Sequence, residues 1–322
     1  MLATVPADID RGDWVRVLMS IKSEFPDADG LDLARVWSQG AASFNERALR
    51  DTWRSIKASG GVGIGSLVKL AKQHGWRAAG GLQPTIDPGE LEQRQQRRAA
   101  VLRAEQAREA RLRAAAALRA HAIWRGCSKA TSDHPYLARK QVKPHQARVY
   151  RGPLQIGGQQ CHGALVVPIH SPSGEMVSLQ FVAEDGQKKF LPYGRTAGCY
   201  ASISGVGRDR IVICEGFATA ASINEATGLP VAVALSAGNM KGAALALREK
   251  YQGAELVLAA DAFPLATVEK ARQAAAAVHG LLSVPSLQEC EGTDFNDLAG
   301  MRGLATVRAA IDSADQIGGH HG

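Results

Sequence analysis

The feature that most constrains this chain is a regular alternation that begins near residue 208 and runs for about eighty residues. "RDRIVICEG" is a short apolar run, "FATAASINEATG" has helical composition, "LPVAVALS" is apolar again, and "NMKGAALALREKYQG" is helical. "AELVLAAD", "ATVEKARQAAAAVHG" and "LLSVP" repeat the pattern. Strands alternating with helices of this length predict a parallel sheet flanked by helices, with crossover connections. Ligands of such sheets sit beyond the carboxyl ends of the strands. Two apolar runs end there on an acid: Glu215 closes "IVICEG" and Asp261 closes "LVLAAD". Gly216 permits a tight turn after the first. A third acidic group, Asp294 and Asp297 in "GTDFNDLAG", follows the last strand and is expected to fold over the same edge.

Carboxylates gathered without a basic partner repel one another, and a hard divalent cation relieves them. Mg²⁺ or Mn²⁺ on Glu215, Asp261, Asp294 and Asp297 would suit phosphoryl chemistry. Taken singly, each acid also has a plainer reading, Asp294 as a helix cap and Asp261 as a strand terminator.

Upstream the pattern changes. Between 127 and 205, "ALVVPIHSPSGEMVSLQFV" reads as two strands around a "SPSG" turn, and "KKFLPYG" as a third. Residues 8–77 read as a separate all-helical module, with Trp14, Val17, Leu18 and Ile21 at helical spacing and Trp37, Trp53 and Trp76 as core anchors. "RAAGGLQPTIDPGE" marks a Gly/Pro linker, and the Arg-rich stretch that follows completes a segment over 78–126 whose second part forms a long helix. Its arginines either track phosphates or pair with glutamates one turn away. Residues 206–314 form the alternating domain and 315–322 a flexible tail.

A formal charge of +7 favours an anionic partner, nucleic acid before membrane. Cys127, Cys161, Cys199, Cys214 and Cys290 form no C-x-x-C pair or zinc spacing, as expected of a reduced cytoplasmic protein. The first residues have no signal-peptide pattern, and no apolar run is long enough to span a bilayer. "GGVGIGSLVK" lacks the Gly-Lys-Ser/Thr ending of an ATP-binding P-loop, so any helicase would be a separate chain or a missing part. Lys188, Lys189 and Arg195 in "GQKKFLPYGRTAG" are either phosphate contacts or a charged hairpin face. Asn239 and Lys241 in "SAGNMKG" follow the second strand, where small residues allow close backbone approach to a nucleotide.

"VICEGFATAASINEATGLPVAVALSAGNM", "LVLAAD" and "TDFNDL", in that order, resemble the TOPRIM domain of plasmid and phage primases over about residues 205–313. "HPYLARKQV" through "KKFLPYGRTAG" resembles the segment that accompanies it there. "DWVRVLMSIKSEF", "VWSQG", "LRDTWRSI" and "IGSLVKLAKQHGW" resemble the primase C-terminal type-two module of mobile elements.

The resemblance implies a DNA primase that makes short RNA primers from NTPs on single-stranded DNA. Glu215 would match the family glutamate and Asp261 the first acid of its Asp-x-Asp motif. Phe263 stands where the second acid belongs. A phenyl ring cannot ligate a cation, so two other readings stay open: a degenerate TOPRIM protein that binds single-stranded DNA or a helicase, and a TOPRIM nuclease.

Overall fold

The computed structural model describes residues 1–57, 61–77, 88–288 and 292–316. Cys290 and most of the predicted Gly/Pro linker lie outside them. The chain divides into two compact units, Met1–Ala110 and Arg111–Gly322.

The first unit is helical: α1 (Arg11–Glu24), α2 (Ala28–Ser38), α3 (Glu46–Ser55), α4 (Ile64–Gln73) and the beginning of α5 (Pro88–Gly126). Local chemistry sets the helix starts. The Asp10 carboxylate accepts from the Gly12 and Asp13 amides to open α1, and Asn45 accepts from Ala48 N to open α3. The helical spacing read in α1 points Val17, Leu18 and Ile21 into a core with Leu49, Trp53 and Leu67. Trp37 and Trp53 are buried there, and Trp14 and Trp76 pack on its margin. Lys22 is an unforeseen member: its Nζ donates to the carbonyls of Trp53 at 2.7 Å and Ile56 at 2.9 Å, closing the end of α3. On α5, Arg98 and Glu109 meet Glu24 and Lys57 at 3.3 and 3.1 Å. No helix among the described residues is long and apolar enough to cross a membrane.

The second unit holds two larger sheets and a hairpin. The first sheet comprises β1 (Ser128–Lys129), β2 (Arg148–Val149), β5 (Leu165–His170), β6 (Met176–Val182) and β7 (Lys188–Phe190), in that spatial order and antiparallel throughout. A short helix, α6 (Pro135–Lys140), lies between β1 and β2 in sequence, and β3 (Gln155–Ile156) pairs with β4 (Gln159–Gln160). The "SPSG" segment makes the expected turn, with Gly174 at φ +91° donating to Ser171 O.

The second sheet runs β13 (Asp315–Gln316), β12 (Leu281–Ser283), β11 (Glu255–Ala259), β9 (Arg210–Cys214), β10 (Val231–Val233), β8 (Ala201–Ile203). Its four inner strands are parallel, and both edge strands are antiparallel. The sheet is therefore mixed rather than wholly parallel. β8 falls within the segment assigned by sequence to the strand-rich region. It joins this sheet because it pairs residue for residue with β10, from Ala201↔Val233 to Ile203↔Val231. Asp315 and Gln316, expected in a flexible tail, pair with Leu282 and Leu281; 317–322 lie outside the described residues.

Period-two alternation gives the sheet two apolar faces. Val212, Cys214, Val257 and Ala259 pack with α7 (Phe217–Thr227), α10 (Phe295–Arg302) and α11 (Leu304–Asp312). Ile211, Ile213, Leu256 and Leu258 pack with α8 (Met240–Lys250) and α9 (Leu265–Ala277). Strands covered on both faces read as continuous apolar runs, as these do.

Candidate functional site

The register of β9 and β11 builds the site. These neighbours are parallel with Cys214 opposite Ala259. Glu215 is one residue past that pair and Asp261 two residues past it, so both emerge at the same edge of the sheet. The loop carrying Asp294 folds over this edge, because Ala262 N donates to Thr293 O at 2.7 Å.

Asp261 is the most perturbed acid. Its Oδ1 is buried and makes no hydrogen bond. Burial, then the charges of Asp294 and Glu215, push its pKa up to about 7 from an ordinary 3.8. Lys188 partly offsets them, and Asp297 adds a smaller repulsion. Directly beneath, the thiol of Cys214 is completely enclosed, and burial together with the same acids raises its pKa well above the usual range.

Asp294 and Asp297 are held by their own helix. Asp294 Oδ1 accepts from Asn296 N at 2.8 Å and Asp297 N at 2.9 Å, and Asp297 Oδ2 accepts in return from Asp294 N at 3.4 Å, forming a capping box, and also from Thr293 N at 2.9 Å. The cap considered for Asp294 from sequence is thus real, yet it coexists with proximity to Asp261. Thr219 Oγ1 donates to Asp294 Oδ2 at 3.1 Å, and Lys140 Nζ lies 3.4 Å from Asp297 Oδ1. Asp297 sits below the ordinary carboxylate range: burial alone would raise it, but the Thr293 N–H, Lys140 and the Asp294 N–H outweigh that effect.

The predicted cations separate. Lys188 and Lys189 are consecutive in β7 and so face opposite ways. The Lys188 ammonium approaches Gly216, where an added Cβ would meet Nζ at 3.5 Å, whereas Lys189 reaches toward Gly157 of the β3–β4 hairpin. Arg195 is exposed and its Nε donates to Ala197 O at 3.3 Å. Asn239 is fully used within the fold: Oδ1 accepts from Gly198 N, and Nδ2 donates to Cys199 O and Ala234 O. Its amide ties the start of α8 to the segment before β8. Lys241 is exposed at the start of α8. Phe263 is half-buried in the turn after Asp261.

Sequence reasoning missed Lys140, Thr219 and Tyr136. Tyr136 is buried close enough to Asp294 that burial and that charge push its phenol up to about 12. Asn296 fastens the same corner, its Nδ2 donating to Lys140 O at 2.7 Å and Ser222 Oγ at 2.9 Å. Only "HPYLARKQV", quoted for its resemblance, pointed to this helix.

The donor set fits a hard divalent ion. No three His, Cys, Asp or Glu side chains among the described residues converge at ligand spacing. Mg²⁺, however, commonly takes one or two carboxylates and completes its shell with waters and substrate phosphates. An orphaned, buried carboxylate oxygen on Asp261 beside Glu215 suits that mode.

Family models match in two places, Primase C terminal 2 (PriCT-2) over residues 1–71 and Toprim domain over 210–305. DNA primase TraC of Escherichia coli is 30% identical over 190 residues, which span 58% of this chain and 17% of that protein. A second protein of the same name and organism is 31% identical over 144 residues, 41% of this chain and 10% of its own length. The DnaG primase catalytic domain bound to ssDNA is similar at 12% identity and a TM-score of 0.48, covering 64% of this chain and 81% of that one. The chain spans less than a fifth of the length of the curated relatives it matches. Over the part they share it is homologous to DNA primase TraC, and it carries a Toprim domain behind a PriCT-2 module.

Proposed function

We propose that the chain is the nucleotidyl-transferring part of a DNA primase, joining ribonucleotides on a single-stranded DNA template. The observation that carries this reading is Asp261: a half-buried carboxylate with one unpartnered oxygen, set beside Glu215 at the carboxyl edge of a parallel sheet. A divalent ion bound there would polarise the nucleotide α-phosphate and lower the pKa of the attacking 3′-hydroxyl.

The surrounding residues have separable tasks. Asp261 and Glu215 would hold the ion, and Asp261 would give up its proton on binding it. Lys188 moderates the negative field and lies where it can meet a phosphate. Thr219 and the capping box fix Asp294, and Lys140 fixes Asp297, so both acids keep their positions as charge changes at Asp261. Arg195 and Lys241 remain exposed for template or nucleotide phosphates. Lys189, on the other face of β7, would serve a strand passing that side.

The test is incorporation of labelled ribonucleotides on single-stranded DNA with Mg²⁺ and then Mn²⁺. Incorporation that is lost in Glu215→Ala supports the reading. No incorporation by the chain or by Phe263→Asp would sink it. One observation favours a second reading: Phe263 occupies the position of a second acid, which suits a protein that binds single-stranded DNA or a separate helicase without catalysis. Metal-independent binding to single-stranded DNA, with no incorporation until Phe263→Asp is made, would select it.

A further inference from the structure

The amino edge of the second sheet carries a cavity of about 240 Å³, remote from the acids. Ile211, at the start of β9, is on its wall, whereas Glu215 lies beyond the end of the same strand, roughly 13 Å away along an extended chain. The lining is mainly apolar and includes Ile203, Val231, Leu247 and Pro230, with two aromatic rings, Tyr200 and Tyr251.

The rim is cationic. Lys250 lines the cavity and its Nζ lies 5.6 Å from the Tyr251 ring, while the Arg208 guanidinium lies 5.9 Å from the same ring. Both cations are exposed. His170 completes that side, and His121 and Lys250 are near enough, after burial, to hold its pKa below the usual value. A concave, mostly apolar site with a few convergent polar groups is the usual form of a small-ligand pocket.

We infer that this cavity binds a nucleotide unit, its base against Tyr200, Tyr251 and Pro230 and its phosphate toward Lys250 and Arg208. An apolar lining beside two exposed cations matches a ring with an anionic tail. It does not match a simple anion, which would gain nothing from the lining. The volume suits a base and part of a sugar, with the phosphate at the mouth. The unit can come from a free mononucleotide or from the end of a strand. The site stands apart from the acidic edge and does not depend on catalysis there.

The probe is AMP, titrated into the full chain by calorimetry in EDTA, which removes any metal-dependent binding at the acids. Binding is expected to weaken about tenfold in Lys250→Glu, a change at an exposed position. Ser202→Trp, which fills the mouth from β8 without removing a cation, should abolish it. Glu215→Ala should leave it unchanged, and ribose 5-phosphate, which lacks the base, should bind about tenfold more weakly than AMP. Displacement of AMP by a 5′-phosphorylated trinucleotide assigns the strand end as the source, and no displacement assigns the free nucleotide. The inference is overturned if Lys250→Glu binds AMP as the parent does. It is also overturned if ribose 5-phosphate binds as well as AMP, or if Glu215→Ala removes the binding.

Discussion

Replacing Asp261 by Asn removes one charge from the acidic edge and almost no volume. The carboxyl has a pKa near 7 in the folded chain against 3.8 as its ordinary value. The folded state therefore binds more protons than the unfolded state between those limits. The associated stability is fully present below about pH 4 and is lost as pH rises through 7. A shift of this size corresponds to about 4 kcal/mol if the group were wholly shielded. Solvent reaches a half-buried side chain, so about 2 kcal/mol is the working figure. For a unit of this size that is roughly 4–8 °C in melting temperature. About 60% of that loss falls between pH 5 and pH 8.5, so melting curves in EDTA at these two values should show the parent losing roughly 1 kcal/mol, or about 2–5 °C, more than Asp261→Asn, because the amide does not ionise. Mg²⁺ at pH 8.5 should restore the parent and leave the variant unchanged. Equal pH dependence in the two proteins would refute the argument that the neighbouring acids and burial hold the proton on Asp261.

Phe263→Asp places a second carboxylate in the turn after Asp261, and Mg²⁺ affinity by calorimetry should rise about tenfold. Lys188→Ala removes a cation that lowers the Asp261 pKa, so the pH midpoint of Mn²⁺ binding should move upward; Lys189→Ala, on the opposite face of the strand, should leave it in place. Lys22→Met strips donors from two buried carbonyls at the end of α3, and the first unit should lose about 2–3 kcal/mol in denaturant unfolding.

Much of this was written in local pattern. The apolar runs from 211 to 283 became strands because burial on both faces leaves no polar positions, and the glycines after Cys214 and before Leu281 mark where they stop and start. The placement of Glu215 and Asp261 at one edge followed from strand direction alone. That their strands are neighbours did not, because the order β11-β9-β10 is a property of crossovers and not of spacing. The opposite facing of Lys188 and Lys189 was available from the period of a strand. The loss of Asn239 to backbone bonds was not, since its partners Gly198 and Cys199 lie forty residues earlier. Lys140 and Thr219 act on acids 157 and 75 residues away, a separation over which one sequence carries no signal.

The ties between α6 and the Asp294 loop bear on modularity. Lys140 supplies both its ammonium, to Asp297, and its carbonyl, to Asn296. β8 closes the second sheet from a position upstream of residue 206. A graft or truncation cut at the start of the alternating segment would therefore carry the acids but leave behind a restraint on their loop and one edge of their sheet. The unit that can be exchanged between proteins, or expressed alone with its acidic edge in order, begins before α6.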